Sequence, residues 1–278
     1  MTEIISLIEN KSDSPKLHSE HGLSLYVKHG GKNYLIDTGA SGDFIENAAK
    51  LNVDLNAIDA VIISHNHYDH IGGLPKLFEH NKTAKVYIKQ QAKSSFYFKK
   101  LSIKKYIGEE KGLFEKHCER FVFFENEIDI SSTFKLLSSI DNDKEYICKD
   151  ENLFEKRDDK YIKDPFEHEL FIVIEEQNSL IIISSCSHNG IINIVNTVKQ
   201  KFGSKPISHI VGGFHMKGAS ISGLNCSKEY VQDVARLLKK KCNHIHTCHC
   251  TGTKAYQIMK SEIGDSISYF STGERIKI

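Results

Sequence analysis

The segment Ser64-His65-Asn66-His67-Tyr68-Asp69-His70 dominates the chemistry that this sequence can support. It directly follows residues 61–63, Val-Ile-Ile, an apolar run that is typical of a buried strand. Gly72 and Gly73 come just after it and favour a turn. Functional groups of α/β folds gather where buried strands end. We therefore expect a binding site here rather than a histidine-rich surface loop.

The residue types in this segment are those of a metal site. Neutral imidazole and carboxylate are ligands that suit zinc, manganese and iron. In an extended segment, residues two apart point the same way, so His65, His67 and Asp69 can converge, and a turn lets His70 join them. Three histidines and an aspartate exceed the needs of one open site. We expect two divalent transition-metal ions, with zinc favoured over manganese or iron.

Composition limits the function classes. The 278 residues carry 37 basic and 36 acidic side chains, a net charge of 37 − 36 = +1, so nucleic-acid binding is disfavoured. The sequence has no apolar stretch long enough for a membrane helix and no pattern of a signal peptide. Its seven cysteines include no Cys-x-x-Cys and are typical of reduced thiols in a cytoplasmic protein. The oligomeric state is left open.

The order of predicted elements defines a fold class. Gly30-Gly31, between the apolar runs at 23–27 and 33–37, is typical of a β-hairpin. Hydrophobic periodicity predicts further strands at 4–8, 86–88, 171–174, 180–183, 207–211, 244–246, 267–270 and 275–278, and helices at 44–51, 191–198, 231–238 and 253–263. This order predicts an α/β fold: an αββα four-layer sandwich of two mixed β-sheets flanked by helices, as a single domain over residues 1–278.

Residues 91–160 interrupt this pattern. The stretch is rich in Lys, Phe and Tyr, and we expect an insertion of helices and loops with strands only near 121–124 and 134–137. Lysines between Lys89 and Lys105 are mixed with aromatic residues from Phe96 to Tyr106. A lid that meets a phosphate would have this composition, but a solvated face of an amphipathic helix is the favoured interpretation.

The histidine-rich segment resembles the His-x-His-x-Asp-His signature of the metallo-β-lactamase superfamily. Three further motifs follow the order of that family: Leu35-Ile36-Asp37-Thr38-Gly39, Cys186-Ser187-His188 and His249-Cys250-Thr251-Gly252. The strings Ser-Cys-Ser-His-Asn-Gly-Ile-Ile, Val-Gly-Gly-Phe-His-Met and Cys-His-Cys-Thr-Gly are similar to a subfamily labelled dihydropterin ribofuranosyl-aminobenzene phosphate synthase-like. The resemblance covers the chain except residues 91–160, but fold and family do not fix a substrate.

The resemblance implies a ligand set. One metal would be held by His65, His67 and a third histidine, and the other by Asp69, His70 and His249. The third histidine is His188, at the junction of a strand and a helix, or His168, at the start of the preceding strand. We favour His188 because a strand-to-helix junction is the sharper site feature.

One departure from the family pattern concerns the second metal. Members usually carry a bridging aspartate near the end of the strand that closes at Ser184, where this chain has Ser185-Cys186. Either solvent alone bridges the metals or Cys186 contributes a thiolate, although a buried inert thiol is the commoner fate of such a cysteine. Cys248 and Cys250 flank His249, and in an extended segment both would point away from it as core thiols.

Two further residues receive roles. Asp37 is expected to accept a hydrogen bond from a ligating histidine, because such histidines usually donate their second ring N–H to a carboxylate or carbonyl. His215 follows Gly212-Gly213, where backbone can approach a ligand closely. It would contact substrate or act as an acid, and a structural loop histidine is an equal alternative.

These features predict a metal-dependent hydrolase. Adjacent cations lower the pKa of a bridging water toward about 7, so the site would direct hydroxide at a small anionic ester-type substrate, with a phosphorylated molecule favoured. Asp69 would orient the hydroxide and His215 would neutralise the leaving group, which makes them the catalytic candidates. The alternatives are a nuclease or phosphodiesterase of the same fold and a non-catalytic metal-containing ligand sensor.

Overall fold

A computed structural model describes residues 1–138, 143–148, 150–218 and 222–278. The chain divides into two compact units. Unit 1 comprises Met1–Glu125, Glu151–Leu170 and Ser271–Ile278, and unit 2 comprises Asn126–Asp150 and Phe171–Phe270. Each unit contains a mixed sheet of seven strands and helices, so the predicted α/β class with two mixed sheets is confirmed.

The elements are numbered along the described chain. The strands are β1 (Glu3–Ile8), β2 (Ser24–His29), β3 (Lys32–Ile36), β4 (Ala60–Ile62), β5 (Lys85–Lys89), β6 (Ser95–Lys100), β7 (Ile103–Tyr106), β8 (Phe121–Phe124), β9 (Glu127–Ser131), β10 (Phe134–Leu137), β11 (Leu153–Arg157), β12 (Lys160–Lys163), β13 (Phe171–Glu176), β14 (Ser179–Ser184), β15 (Ile207–Gly212), β16 (Cys242–Thr247), β17 (Ile267–Tyr269) and β18 (Arg275–Lys277). The helices are α1 (Asp43–Lys50), α2 (Tyr68–Ile71), α3 (Leu74–His80), α4 (Leu113–Lys116), α5 (Ile191–Phe202), α6 (Lys228–Lys241) and α7 (Gly252–Ile263). None of the helices within the described ranges is long and apolar enough to cross a membrane.

The main sheet of unit 1 has the strand order β18-β1-β2-β3-β4-β5-β8. Strands β1, β2 and β3 pair antiparallel, and β3, β4, β5 and β8 pair parallel. The predicted hairpin joins β2 to β3. Its turn residues Gly30 and Gly31 have φ of 58° and 77°, the left-handed values that a tight hairpin turn requires. Apolar side chains of β4, β5 and helices α1 and α3 form the core of this unit.

Unit 1 also contains a second sheet, with the order β12-β11-β6-β7 and antiparallel pairing throughout. The prediction of helices and loops for residues 91–160 is wrong in this respect, because the only α-helix among the described residues of that stretch is the four-residue α4. Aromatic residues favour strands, and they are frequent here. The two strands predicted within the stretch are confirmed as β8 and β10.

The sheet of unit 2 has the order β17-β16-β15-β14-β13-β10-β9. Its strands β14 to β17 are parallel, and helices α5, α6 and α7 connect them in sequence. The inward stripes of these helices fill the core of the unit, as the apolar spacing of residues 191–198 and 231–238 predicted. Helix α6 begins at a serine cap, since the Ser227 hydroxyl accepts the Tyr230 N–H at 3.1 Å.

Candidate metal centre

Parallel pairing of β3 with β4 brings two distant motifs of unit 1 together. Ile36 pairs with Ile62, so both strands end at the same edge of the sheet. Asp37 follows β3 and donates its N–H to the carbonyl of Ile62 at 2.8 Å. Ser64 lies two residues after β4 and donates its N–H to Asp37 Oδ1 at 2.7 Å. The early aspartate motif and the histidine-rich segment therefore meet in the fold.

The buried Asp37 carboxylate is the centre of a hydrogen-bond network. Its Oδ2 accepts the Ser64 hydroxyl at 2.7 Å and lies 2.8 Å from His70 Nδ1. The Ser64 hydroxyl oxygen in turn lies 2.8 Å from His65 Nδ1. The expected partnership of Asp37 with a histidine of the motif is thus present directly at His70 and through Ser64 at His65.

Donor counting assigns the protons in this network. A carboxylate only accepts, so His70 must donate from Nδ1. The single Ser64 hydroxyl proton points to Asp37, so His65 must also donate from Nδ1, to the Ser64 oxygen. In its neutral form, each imidazole then carries the lone pair on Nε2. A neutral imidazole with its other ring N–H held by an acceptor is the usual state of a metal ligand.

The remaining residues of the motif lie close to this pair. The ring centroids of His65 and His70 are 4.1 Å apart, and those of His65 and His67 are 4.6 Å apart. Asp69 Oδ2 lies 3.7 Å from His70 Nε2 and 3.3 Å from His21 Nε2. The structure thus brings together the four predicted ligands of the segment, and it adds His21, which no sequence motif indicated.

The short helix α2 and two glycines shape the turn after the motif. Gly73 packs so closely that a Cβ there would lie 2.2 Å from the Thr38 carbonyl oxygen and 2.4 Å from that of Ser41. Thr38 N–H donates to the carbonyl of His70 at 2.7 Å. Since only glycine permits this approach, the predicted turn role of the glycine pair has a steric basis.

His168, the rival for the third ligand position, lies beside His67 with 5.3 Å between ring centroids. Its Nδ1 accepts the backbone N–H of Asn66 at 3.0 Å, so its proton is on Nε2, 3.2 Å from Asp164 Oδ2. Both nitrogens of His168 are therefore engaged, and the ring also stacks on Phe96 at 3.9 Å. This arrangement favours a role in holding the segment in place.

Asp164 is a residue of this cluster that sequence reasoning missed. Ligand atoms of His67, Asp164 and His168 all lie within 4.8 Å of one another. Burial alone would raise the pKa of Asp164, but His168 and His67 hold it below its usual range. Burial lowers the pKa of His67, although Asp164 acts in the opposite direction. The available signal was the spacing of Asp164 four residues before His168.

Asn66 points away from the other motif side chains and secures a neighbouring segment. Its amide donates to the Ala92 carbonyl at 2.7 Å and to the Glu109 carboxylate, and its oxygen accepts the Glu109 N–H at 2.8 Å. Tyr68 likewise donates its N–H to the Ile107 carbonyl at 2.7 Å. Residues between the ligands thus anchor the chain from Ala92 to Glu109.

In unit 2, the two later motifs converge at the ends of parallel strands. Ligand atoms of Cys186, His249 and Cys250 lie within 4.8 Å of one another. The expectation that Cys250 points away from His249 is wrong, because His249–Thr251 form a 3-10 turn instead of an extended segment. The Cys250 thiol lies 3.5 Å from the Cys186 carbonyl oxygen and accepts the His215 N–H at 3.2 Å.

His188 and His215 are neighbours in unit 2, with ring centroids 4.1 Å apart. His215 Nε2 lies 3.5 Å from Asp150 Oδ2, a partner that the sequence did not suggest. Burial alone would lower the pKa of His215, but hydrogen bonds to Asp150 and Cys250 raise it to about 10. Burial alone would raise the pKa of Cys250, but Cys186 and His215 lower it to about 5.

Several residues at or next to the predicted site have a left-handed backbone. Asp37, His215 and His249 have φ of 57°, 50° and 50°, left-handed values that are uncommon outside glycine. Ser187, next to His188, has φ of 55°. Strained residues persist only where the surroundings hold them, and they cluster at functional sites. The left-handed residues Asp37, Ser187 and His249 lie in three of the four motifs, and they support these three as functional positions.

The donor chemistry of these clusters fits divalent transition metals. Buried imidazoles, a carboxylate and thiols are the ligands that zinc accepts. The proton positions argued for His65 and His70 leave a lone pair on each Nε2. Fold and donor set together define an α/β protein with side chains suited to hold divalent metals.

Comparison of the chain with known proteins assigns it to a family. A family model described as the metallo-β-lactamase superfamily matches residues 20–178. A relative from Methanocaldococcus jannaschii, named 7,8-dihydropterin-6-methyl-4-(beta-D-ribofuranosyl)-aminobenzene-5'-phosphate synthase, is 28% identical over 274 residues, covering 93% of this chain and 90% of the relative. The chain therefore belongs to the metallo-β-lactamase superfamily, as the motifs predicted.

Two solved structures are similar to the fold. Tm1679, described as a metal-dependent hydrolase of the β-lactamase superfamily, has a TM-score of 0.84 and 27% identity, with 100% of this chain and 99% of that chain covered. A diphosphatase of the PhnP family has a TM-score of 0.56 and 13% identity, with 100% and 98% covered. The second likeness concerns the fold alone.

Proposed function

We propose that this protein is a metal-dependent hydrolase that acts on a small anionic substrate of the ester type. The observation that carries the proposal is the Asp37 network, which sets the tautomers of His65 and His70 for metal binding. Membership of a superfamily that includes metal-dependent hydrolases, and the likeness to Tm1679, support the same reaction class.

We further propose a single domain over residues 1–278 and, because all seven cysteines are free, a cytoplasmic location.

We propose a ligand set for two metals, with zinc as the favoured ion. His65, His67 and His188 would hold one, and Asp69, His70 and His249 the other. Assignment of His188 and His249 rests on the order of the family motifs along the sequence. A divalent cation held in this way lowers the pKa of a coordinated water toward about 7 and supplies a nucleophile at neutral pH.

The remaining chemistry falls to side chains of this protein. Asp69 presents a carboxylate beside His70 and would accept a hydrogen bond from the attacking water, which fixes its direction of approach. His215 lies beside His188 and has the Asp150 carboxylate 3.5 Å from its Nε2. We propose that His215 gives a proton to the leaving oxygen and that Asp150 orients its ring.

A synthase reaction is the second candidate. It is favoured by the relative from Methanocaldococcus jannaschii, which is named a synthase and aligns with 93% of this chain. Under this candidate the same ligands would position a phosphorylated substrate for bond formation.

Rates on a panel of generic substrates test the proposal. Metal-loaded protein, protein treated with a chelator, and the variant Asp69→Asn are compared on a phosphomonoester, a phosphodiester, a thioester and a lactone. We expect turnover of at least one substrate that is lost with the chelator and restored by zinc. Failure of the loaded protein to hydrolyse any of them would favour the synthase candidate. Titration of chelated protein should show two metal affinities, the second weaker.

A further inference from the structure

The second sheet of unit 1 presents one face whose composition is unusual. Register places Tyr97 of β6 opposite Phe154 of β11 and Tyr106 of β7, and it places Lys99 opposite Lys104. Because side chains alternate along a strand, the same face carries every second residue of each strand. The aromatic and lysine residues of this face, here called the aromatic–lysine face, are Tyr97, Lys99, Lys104, Tyr106, Phe154, Lys156, Tyr161 and Lys163.

The opposite face anchors the sheet. Phe96 and Leu153 are buried in a small cluster with Ile107, and Phe98 packs against them. Lys104 and Lys163 of the aromatic–lysine face are exposed, and its aromatic rings are half-buried. The core of the sheet therefore does not use this face, and its aromatic side chains remain accessible from solvent.

Contacts across the face form a continuous surface of rings and ammonium groups. The ring of Tyr97 lies 5.5 Å from that of Tyr106 and 5.1 Å from that of Tyr161, edge to face in both cases. Lys99 Nζ lies 4.8 Å from the Phe154 ring centroid and 4.4 Å from that of Tyr161. Lys104 Nζ also lies 5.2 Å from the Tyr161 ring centroid, and Lys163 Nζ lies 4.4 Å from that of Phe154. These cation–π contacts place ammonium groups over the Phe154 and Tyr161 rings, so a base that stacks on either ring would displace them.

The face has one sign of charge. None of the described strand residues that share it is acidic. Nearby carboxylates lie outside the strands: Asp159 is 3.6 Å from Lys156, and Glu109 accepts the Tyr106 hydroxyl at 2.7 Å. The near-neutral charge of the whole chain therefore conceals a local positive surface.

We propose that the aromatic–lysine face binds single-stranded nucleic acid. Its four lysines would meet successive phosphates, and its rings would stack on unpaired bases, the combination that single-strand binding surfaces use. This role goes beyond the hydrolase proposal and needs no metal. An anionic membrane is the rival partner, since Leu101 at the β6–β7 turn is fully exposed and could insert into lipid. However, the rings of the face lie across the strands, and three of the four carry hydroxyls. That arrangement suits stacking on bases better than insertion into lipid.

Fluorescence anisotropy of a labelled single strand of about 12 nucleotides tests the proposal on the full chain. Affinity should fall with salt, with a log–log slope of about −3 if all four lysines neutralise phosphates. Tyr97→Ala should weaken binding about tenfold through lost stacking. Tyr97→Leu keeps apolar bulk but lacks a ring, so it should also bind weakly. Weak binding by a Tyr97→Leu protein that melts like the wild type would assign the loss to stacking and not to misfolding.

Charge variants provide the matched control. The double variant Lys99→Gln and Lys163→Gln should reduce the slope by about 1.4, because each lysine accounts for about 0.7. The control pair Lys239→Gln and Lys240→Gln, exposed on helix α6, should leave affinity and slope unchanged. Metal content and melting temperature are measured for every variant.

Three outcomes would overturn the proposal: no binding by the wild type in about 50 mM salt, equal losses in the control pair, or binding only to phosphatidylserine vesicles that Leu101→Asp abolishes. None of them bears on hydrolysis, which the substrate panel measures separately.

Discussion

Replacement of Asp37 by asparagine should invert the protonation of two proposed ligands without changing the shape of the site. An asparagine amide carries one oxygen and one NH2 group, whereas both oxygens of Asp37 now accept hydrogen bonds. The backbone N–H of Ser64 cannot reverse its role, so the amide oxygen must remain opposite it. The NH2 group then faces His70 Nδ1 and the Ser64 hydroxyl, which must both accept.

The consequence reaches both imidazoles. His70 must accept at Nδ1 and therefore protonates Nε2, the atom that we assign to the metal. Ser64 turns its hydroxyl proton to His65 Nδ1, so Nε2 of His65 becomes protonated as well. Metal binding must then break two hydrogen bonds of about 0.5–1.5 kcal/mol each, which together weaken it by about 1–3 kcal/mol, or roughly 5- to 150-fold. This range agrees with the usual 10–100-fold effect of losing an orienting partner.

Competition with a chromophoric zinc chelator measures this loss, and nitrogen NMR of the zinc-free protein reports the tautomer directly. Ser64→Ala, which disconnects only His65, should give a smaller loss than Asp37→Asn. Asp59→Asn is the matched control, because Asp59 pairs with Lys32 and Asn33 on the surface of the same unit. Asp37→Asn with wild-type zinc affinity and an unchanged tautomer would refute the network as the device that prepares the ligands.

Three further predictions have defined outcomes. His188→Ala should lower metal affinity at least about tenfold. His168→Ala should lower it less, because the two ring nitrogens of His168 are engaged by Asn66 and Asp164. The metal content of the two purified variants decides between them, and an empty site in His168→Ala alone would reverse the assignment. Asp69→Asn should keep the fold and the metal of His65 and His67 but slow hydrolysis at least about a hundredfold, and a near wild-type rate in a folded variant would favour a sensing role. Gly73→Ala should destabilise the protein by about 1–3 kcal/mol in urea, because its Cβ would meet two carbonyl oxygens, whereas Gly42→Ala meets only the flexible Lys76 side chain and should cost less.

Elements with one clear periodicity could be predicted from the sequence. Helix α6 was expected at 231–238 and spans Lys228–Lys241, and strand β14 was expected at 180–183 and spans Ser179–Ser184. Both bury a regular set of apolar side chains, so burial alone specifies the element. The ends differ by one to three residues because caps and strand ends depend on partners elsewhere in the chain.

The second sheet of unit 1 could not be predicted in this way. In β6, the sequence Ser-Phe-Tyr-Phe-Lys-Lys has aromatic residues on both faces, so no polar–apolar alternation marks the strand. Lysines on the outer face place their ammonium groups over aromatic rings, which makes a lysine-rich stretch compatible with a sheet. The same feature that concealed the strands is what distinguishes the aromatic–lysine face.

The sequence predicted those candidate site residues that lie close together in the chain. The sequence indicated that His65, His67, Asp69 and His70 act together because they are adjacent. It could not indicate Asp150, which reaches His215 through tertiary structure, and the only signal for Asp164 was its spacing four residues before His168. Cys250 was misassigned because an extended backbone was assumed, whereas the 3-10 turn at His249–Thr251 places its sulfur beside the His249 ring.

The Asp37 network also explains why a residue far from the histidine motif belongs to it. Pairing of β3 with β4 makes Asp37 and Ser64 neighbours, although 27 positions separate them in the chain. One carboxylate then receives the protons that define both His65 and His70, directly in one case and through a hydroxyl in the other. The protonation of both histidines consequently depends on the one Asp37 carboxylate. A substitution at Asp37 should therefore cost more than the loss of either histidine contact alone, because it disturbs both proposed ligands at once.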